Sequence, residues 1–133
     1  MSPEPHRQQP PRRHRWLVDV AVLVAALVVA GVLLLLWPRP FTVRGMVDIE
    51  GDCSAAGYSD IQAGEQVEVL NEQNDVIGVG RLVDGEQPCR WRFTVKDVPA
   101  GEDRYGIRLG NANRGVLWHD EDKARAGVSL LLR

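Results

Sequence analysis

The stretch Cys89-Arg90-Trp91-Arg92-Phe93-Thr94-Val95-Lys96 (CRWRFTVK) decides how this chain reads. Successive side chains of an extended chain point to opposite faces. Cys89, Trp91, Phe93 and Val95 therefore share one face, and Arg90, Arg92, Thr94 and Lys96 share the other. Heavy apolar residues opposite three cations describe a strand half in a core and half in water. Upstream, Phe41, Val43, Gly45, Val47 and Ile49 alternate in the same way with Thr42, Arg44, Met46, Asp48 and Glu50. Between these strands lie a loop over residues 51–64 (GDCSAAGYSDIQAG) and a hairpin. The hairpin runs from Glu65–Leu70 through a turn at Asn71–Asp75 into Val76–Leu82, with a break at Asp84–Pro88. Downstream, a Val98–Gly101 turn leads to strands marked by Tyr105–Leu109, Gly115–Trp118 and Val128–Leu132. His119–Ala126 (HDEDKARA) places acids before cations, as a short helix favours. Seven short strands with regular turns predict an all-β domain over residues 41–133, a β-sandwich of about seven strands.

Upstream of this domain the period disappears. Trp16 to Trp37 (WLVDVAVLVAALVVAGVLLLLW) carries a single charge, Asp19. About twenty apolar residues at ~1.5 Å rise span the roughly 30 Å core of a bilayer as one helix. The flanking tryptophans fall where amphipathic rings favour the headgroup level. Residues 1–15 are polar, proline-rich and basic, and read as a disordered cytoplasmic tail. Arg7, Arg12, Arg13 and Arg15 against Glu4 orient the span with its N-terminus inside. The apolar run is longer than the ~7–15 residues of a signal peptide and ends in Leu33–Trp37 without a small-x-small site, so an uncleaved anchor is expected. Pro38-Arg39-Pro40 stops the helix and forms a short linker. The expected location is the cell membrane, single-pass, with the β-domain extracytoplasmic.

From Pro38 onward there are twelve Lys and Arg against sixteen Asp and Glu, about −4 in all. A mildly acidic domain gives no reason to expect a nucleic-acid partner. The expected partners are the bilayer and a protein at the outer surface. Cys53 and Cys89, the chain's two cysteines, fall in the compartment that permits a disulfide, and they are not spaced for redox work.

Asp97-Val98-Pro99-Ala100-Gly101 followed by Tyr105-Gly106-Ile107 resembles the strand-turn-strand step of transthyretin-like sandwich modules. Collagen-adhesin B-repeats and carboxypeptidase regulatory-like domains share that step. The wider pattern also resembles small secreted or membrane-anchored proteins of actinobacteria. It comprises Cys53, Gly57-Tyr58-Ser59-Asp60-Ile61, Gly64, Val67, Val69, Cys89 and Asp97-Val98-Pro99-x-Gly101. The resemblance implies a cell-envelope protein with a transthyretin-like or immunoglobulin-like domain, and no activity.

Catalytic chemistry finds little support. Hydroxyisourate hydrolases, as transthyretin-like enzymes, use more than one histidine and end in Tyr-Arg-Gly-Ser. Here the β-domain has one histidine, His119, and ends Ser129-Leu130-Leu131-Leu132-Arg133. Intradiol dioxygenases need two histidines and two tyrosines for iron. His119 stands beside Asp120 with no nucleophile motif and reads as an exposed loop residue. Asp48, Glu50 and Asp52, and the run Asp120-Glu121-Asp122, match no calcium loop. No cofactor, metal or enzymatic activity is expected. Tyr58, Ser59 and Asp60, beside Cys53, are candidates for a partner surface because a stapled loop can present an aromatic side chain, against the plainer reading that Tyr58 covers the end of the sandwich while Asp60 bonds local backbone amides. Arg90 and Arg92, with Lys96, form a cationic stripe suited to an acidic partner, against the plainer reading of a solvated sheet face. A membrane-anchored accessory module is the leading expectation. The alternative is an envelope ligand carrier or enzyme using a pocket near Tyr58 and Asp60.

Overall fold

Alternation fixes which face of each strand is buried, and the register fixes what it is buried against. The computed structural model describes residues 13–133 and divides them at Trp37/Pro38 into two units. Most of the expected tail, including Arg7, Arg12 and Glu4, lies outside the described residues.

The first unit is one helix, α1 (Arg13–Leu36). Arg13–Arg15, read from sequence as the end of the tail, belong to its first turn, and Trp37 lies just beyond its last. Residues Arg15–Leu36 have a mean hydropathy of 2.9 in their most apolar window, and none of that window is buried within the chain. Among the described residues this is one helix long and apolar enough to cross a membrane.

The second unit contains β1 (Phe41–Ile49), β2 (Gln66–Leu70), β3 (Val76–Asp84), β4 (Arg90–Val98), β5 (Tyr105–Leu109), β6 (Leu117–His119), α2 (Glu121–Ala126) and β7 (Val128–Leu132). The strands hydrogen-bond in the order β6-β5-β2-β3-β4-β1-β7 as one mixed sheet. All pairings are antiparallel except β1 with β7, which is parallel. β3 changes partner along its length: Val76–Arg81 pairs with β2, and Leu82–Asp84 with β4. This makes the sheet curl. Leu132 of β7 consequently lines one small cavity of about 30 Å³ with Ile107, Leu109 and Leu117 from the other end of the sheet.

The core fills the inside of the curl. Val43, Val47, Val67, Val69, Phe93, Val95 and Tyr105 are each at most 2 % exposed. Burial of this kind contributes about 1.5–3 kcal/mol per large apolar side chain. Gly45 is the gap in the inward face of β1, and the Phe93 ring occupies the space a Cβ would need there. An irregularity near the start of β1 has a local cause. Phe41 pairs with Val98 and Val43 with Val95, so β4 carries one extra residue. Asp97, at φ 56°, turns the backbone through the left-handed region there, a conformation some bulges use and aspartate tolerates better than most residues.

The Val98–Gly101 turn is clasped from two sides. Tyr105 is fully buried, meets Phe41 edge-on at 5.3 Å, and donates its hydroxyl to Pro99 O at 2.9 Å. Glu121 of α2 accepts from Gly101 N at 2.9 Å, and that bond, ahead of one from Arg125, holds its carboxyl below the usual range. The short helix forms where acids precede cations. Asp120 caps it by accepting from Lys123 N at 2.7 Å, and Gly127, at φ 114°, turns the chain into β7.

Two local expectations need correction. The strand expected over Gly115–Trp118 sits at Leu117–His119, because Ala112–Arg114 forms a 3-10 turn that delays it. His119 is not an exposed loop residue. It is half-buried on β6, paired with Tyr105, and its Nε2 is enclosed without a hydrogen-bond partner among the described residues. Burial, ahead of Lys123, lowers its pKa, partly opposed by Asp120.

Candidate functional site

The loop between β1 and β2 is held by covalent and ionic ties. Cys53 and Cys89 are joined by a disulfide, with Cα atoms 5.5 Å apart, a separation that a disulfide spans. Cys89 lies at the start of β4, where its carbonyl accepts from Ile49 N at 3.0 Å. The loop is thereby anchored to the end of the β1–β4 pair. Residues Ala56–Tyr58 make a 3-10 turn, Ser59 Oγ donates to Ala56 O at 3.3 Å, and Ile61 is buried in the core.

Arg114 completes the arrangement from the turn before β6. Its Nε donates to Asp60 Oδ2 at 2.8 Å and its Nη2 to Asp60 Oδ1, a two-pronged pair. The same Nη2 reaches Gly57 O at 2.5 Å, and the guanidinium lies 5.5 Å from the centre of the Tyr58 ring. Bidentate charge-assisted bonds are among the stronger polar contacts a protein makes. The Arg114 hydrogen bond holds the Asp60 carboxyl below its ordinary range and pushes the Arg114 pKa up. Tyr58 is half-buried and packs against the core. Of the three sequence candidates in this loop, Asp60 and Tyr58 are therefore engaged inside the molecule, and Ser59 is exposed on a local bond.

The second candidate surface is the outer face of β4 and β1. The register places Arg90 opposite Asp48, Arg92 opposite Met46, and Thr94 opposite Arg44. On the other side of β1, Met46 neighbours Ser129 and Asp48 neighbours Leu131. Val83 of β3 neighbours Arg92. Arg90 donates to Asp48 and forms a salt bridge with it. Arg44, Arg92 and Lys96 are exposed, and none has a salt-bridge partner among the described residues. The stripe read from sequence thus divides: Arg90 is neutralised, while Arg92 and Lys96 are joined by Arg44 from the neighbouring strand. An open hollow of about 350 Å³ lies on this face. It is lined by Arg44, Met46, Arg92 and the run Ala126–Ser129. A smaller one of about 130 Å³, between Met46, Arg92 and the Glu86–Gln87 loop, adjoins it.

Most other arginines are engaged by acids. Arg108 meets Glu68, Arg125 meets Glu121, and Arg133 meets Glu50. Arg104 meets Glu72 at 3.3 Å and lies 5.3 Å from the Trp118 ring centre. Among the described residues, no group of three His, Cys, Asp or Glu side chains is placed to hold a metal. Tyr58, Asp60 and His119 line none of the three cavities described above. Arg44 and Met46 escaped the sequence reading because they belong to a strand whose partner was unknown; only the register brings them beside Arg92. Comparison with protein-family models, curated proteins and solved structures finds no match.

Proposed function

We propose that this chain is a single-pass membrane protein of the cell envelope. Its β-domain is an extracytoplasmic, noncatalytic binding module that serves as a small accessory subunit of a larger membrane complex. The observation that carries this reading is the uncovered cationic face of β1 and β4 in a domain that is otherwise acidic and internally ion-paired. A span that buries nothing within the chain and a disulfide between Cys53 and Cys89 support the placement outside. The curled sheet, with β3 exchanging partners halfway, is compatible with a sandwich of the transthyretin-like or immunoglobulin-like kind. The alternative of a ligand site at Tyr58 and Asp60 has less support, because Arg114 already occupies both side chains.

A membrane-impermeant maleimide tests the placement. It should label Glu86→Cys in intact cells and Ser2→Cys only after permeabilisation; the reverse pattern overturns the orientation. For the module itself, extraction of the full chain in mild detergent should retain a stoichiometric protein partner. Extraction of the chain alone would count against an accessory role.

A further inference from the structure

We infer that the hollow on the outer face of β1, β4 and β7 receives an extended, acidic segment of a partner protein, with carboxylates meeting Arg44 and Arg92 and an apolar side chain seated on Met46. This rests on the accessory-module reading and names the surface and the partner's chemistry. Arg44 and Arg92 are diagonal neighbours across an antiparallel pair, a relation that places side chains roughly 7–8 Å apart. Two like charges held that close repel one another, and neither has a salt-bridge partner among the described residues; Glu86 lines the smaller hollow beside Arg92 without forming a salt bridge to it. Asp48, the acid that the register sets on this part of the face, is taken by Arg90. Most other arginines of the β-domain meet an acid, whereas Arg44 and Arg92, solvated and without a salt bridge among the described residues, are free to meet carboxylates from outside.

Shape and polarity narrow the occupant. Met46 lines the hollow, and Val83 and Leu131, 52 % and 53 % exposed, stand beside it in the cross-strand rows. A cationic rim around apolar ground fits a chain carrying both carboxylates and an apolar residue. The hollow is shallow and open, which suits an extended segment lying along the face. In an extended segment, alternate residues lie about 7 Å apart on one side. Acids two residues apart therefore match the two guanidinium groups, with an apolar residue further along the same side.

The test places a benzophenone photo-crosslinker at Ser129, on the wall of the hollow, in the full chain in native membranes, and sequences the crosslinked peptide. A second chain carries the crosslinker at Ser54, in the disulfide-held loop. The expected result is an adduct at Ser129 to a segment with carboxylates two residues apart next to an apolar residue. Its yield should drop at least tenfold in an Arg44→Gln, Arg92→Gln chain that keeps its disulfide and its near-ultraviolet tryptophan signal. A neutral or basic segment, an adduct indifferent to the two substitutions, or adducts to lipid alone would overturn the inference. If Ser54 captures a partner and Ser129 does not, the hollow is wrong while the accessory role stands. If neither position captures a protein, both readings fall.

Discussion

Arginines in two regions of this protein meet opposite fates. Arg114 is consumed by its own molecule: it holds Asp60 with both prongs, reaches Gly57 O, and covers Tyr58. Arg44 and Arg92 stand exposed beside Met46 without a salt bridge among the described residues. A cation already tied to a local carboxylate consolidates a fold. One left exposed beside another cation is held at some cost to the fold and is available to a partner. Sequence offers both the stapled loop and the 90–96 stripe as candidate partner surfaces; the ion pairing separates them, engaging Tyr58 and Asp60 within the molecule and leaving Arg92 and Lys96 without a salt bridge among the described residues.

The largest effect should separate the two regions. Replacing Cys53 and Cys89 by serine removes a crosslink that closes a sequence separation of 36 residues. On the chain-entropy account this costs about 3–4 kcal/mol. Denaturant unfolding of the full chain in detergent, followed by tryptophan fluorescence, should show that loss. Hydrogen exchange should rise most in residues 51–64 and least at Arg44 and Arg92. Equal loosening of both regions would break the distinction.

Next in size, Arg114→Ala should cost about 1–2 kcal/mol, since a bidentate, partly buried pair and a ring contact vanish together. Arg90→Ala loses a simpler, partly exposed pair with Asp48 and should cost no more than about 1 kcal/mol. The same unfolding curves rank the two.

Acid sharpens the comparison further. The Asp60 pKa is lowered in the fold, so its stabilisation is complete above the unfolded carboxylate value and is lost as pH falls through the folded one. The His119 pKa is lowered from 6.5 because the fold disfavours the charged ring. Below 6.5 the unfolded chain binds a proton that the native state resists, and stability declines until the folded His119 value is reached. A pH series should therefore show two acid limbs. His119→Phe should remove the upper limb, and Arg114→Ala should shrink the lower one. Arg92→Gln should leave both unchanged.

The smallest effect is the most telling. Arg92→Gln and Arg44→Gln should alter stability by no more than about 0.5 kcal/mol, and in the stabilising direction, because repulsion is relieved and no bond is lost. A loss above 1 kcal/mol would mean that these cations serve the fold after all.

Legibility followed locality. The strands at Phe41–Ile49 and Arg90–Val98 could be read because alternation is a property of neighbouring residues. The helix at Glu121–Ala126 announced itself through Asp120 and the order of its charges. The extra residue at Asp97 was hidden, because a bulge is defined by the opposite strand. Asp60 and Arg114 are 54 residues apart, and no local pattern links them. For the same reason sequence could not say which cation of the 90–96 stripe is neutralised; Asp48 meets Arg90 rather than Arg92 through register alone. His119 was misplaced because a half-buried imidazole at a sheet edge has the same local signature as an exposed one.

The parallel pairing of β1 with β7 constrains the order in which this domain is built. β1 is the first of the seven strands to be synthesised, yet Gly45–Ile49 finds its second neighbour in Val128–Leu132, the last. Until β7 has left the ribosome, one flank of β1 presents unsatisfied amides and carbonyls, the kind of edge that recruits foreign strands. Long-range closures of this type form late and slowly. The nascent β-domain therefore passes through a stage with an open seam along β1. Whatever handles the chain during synthesis must shield the free edge of Gly45–Ile49 until about eighty further residues have arrived.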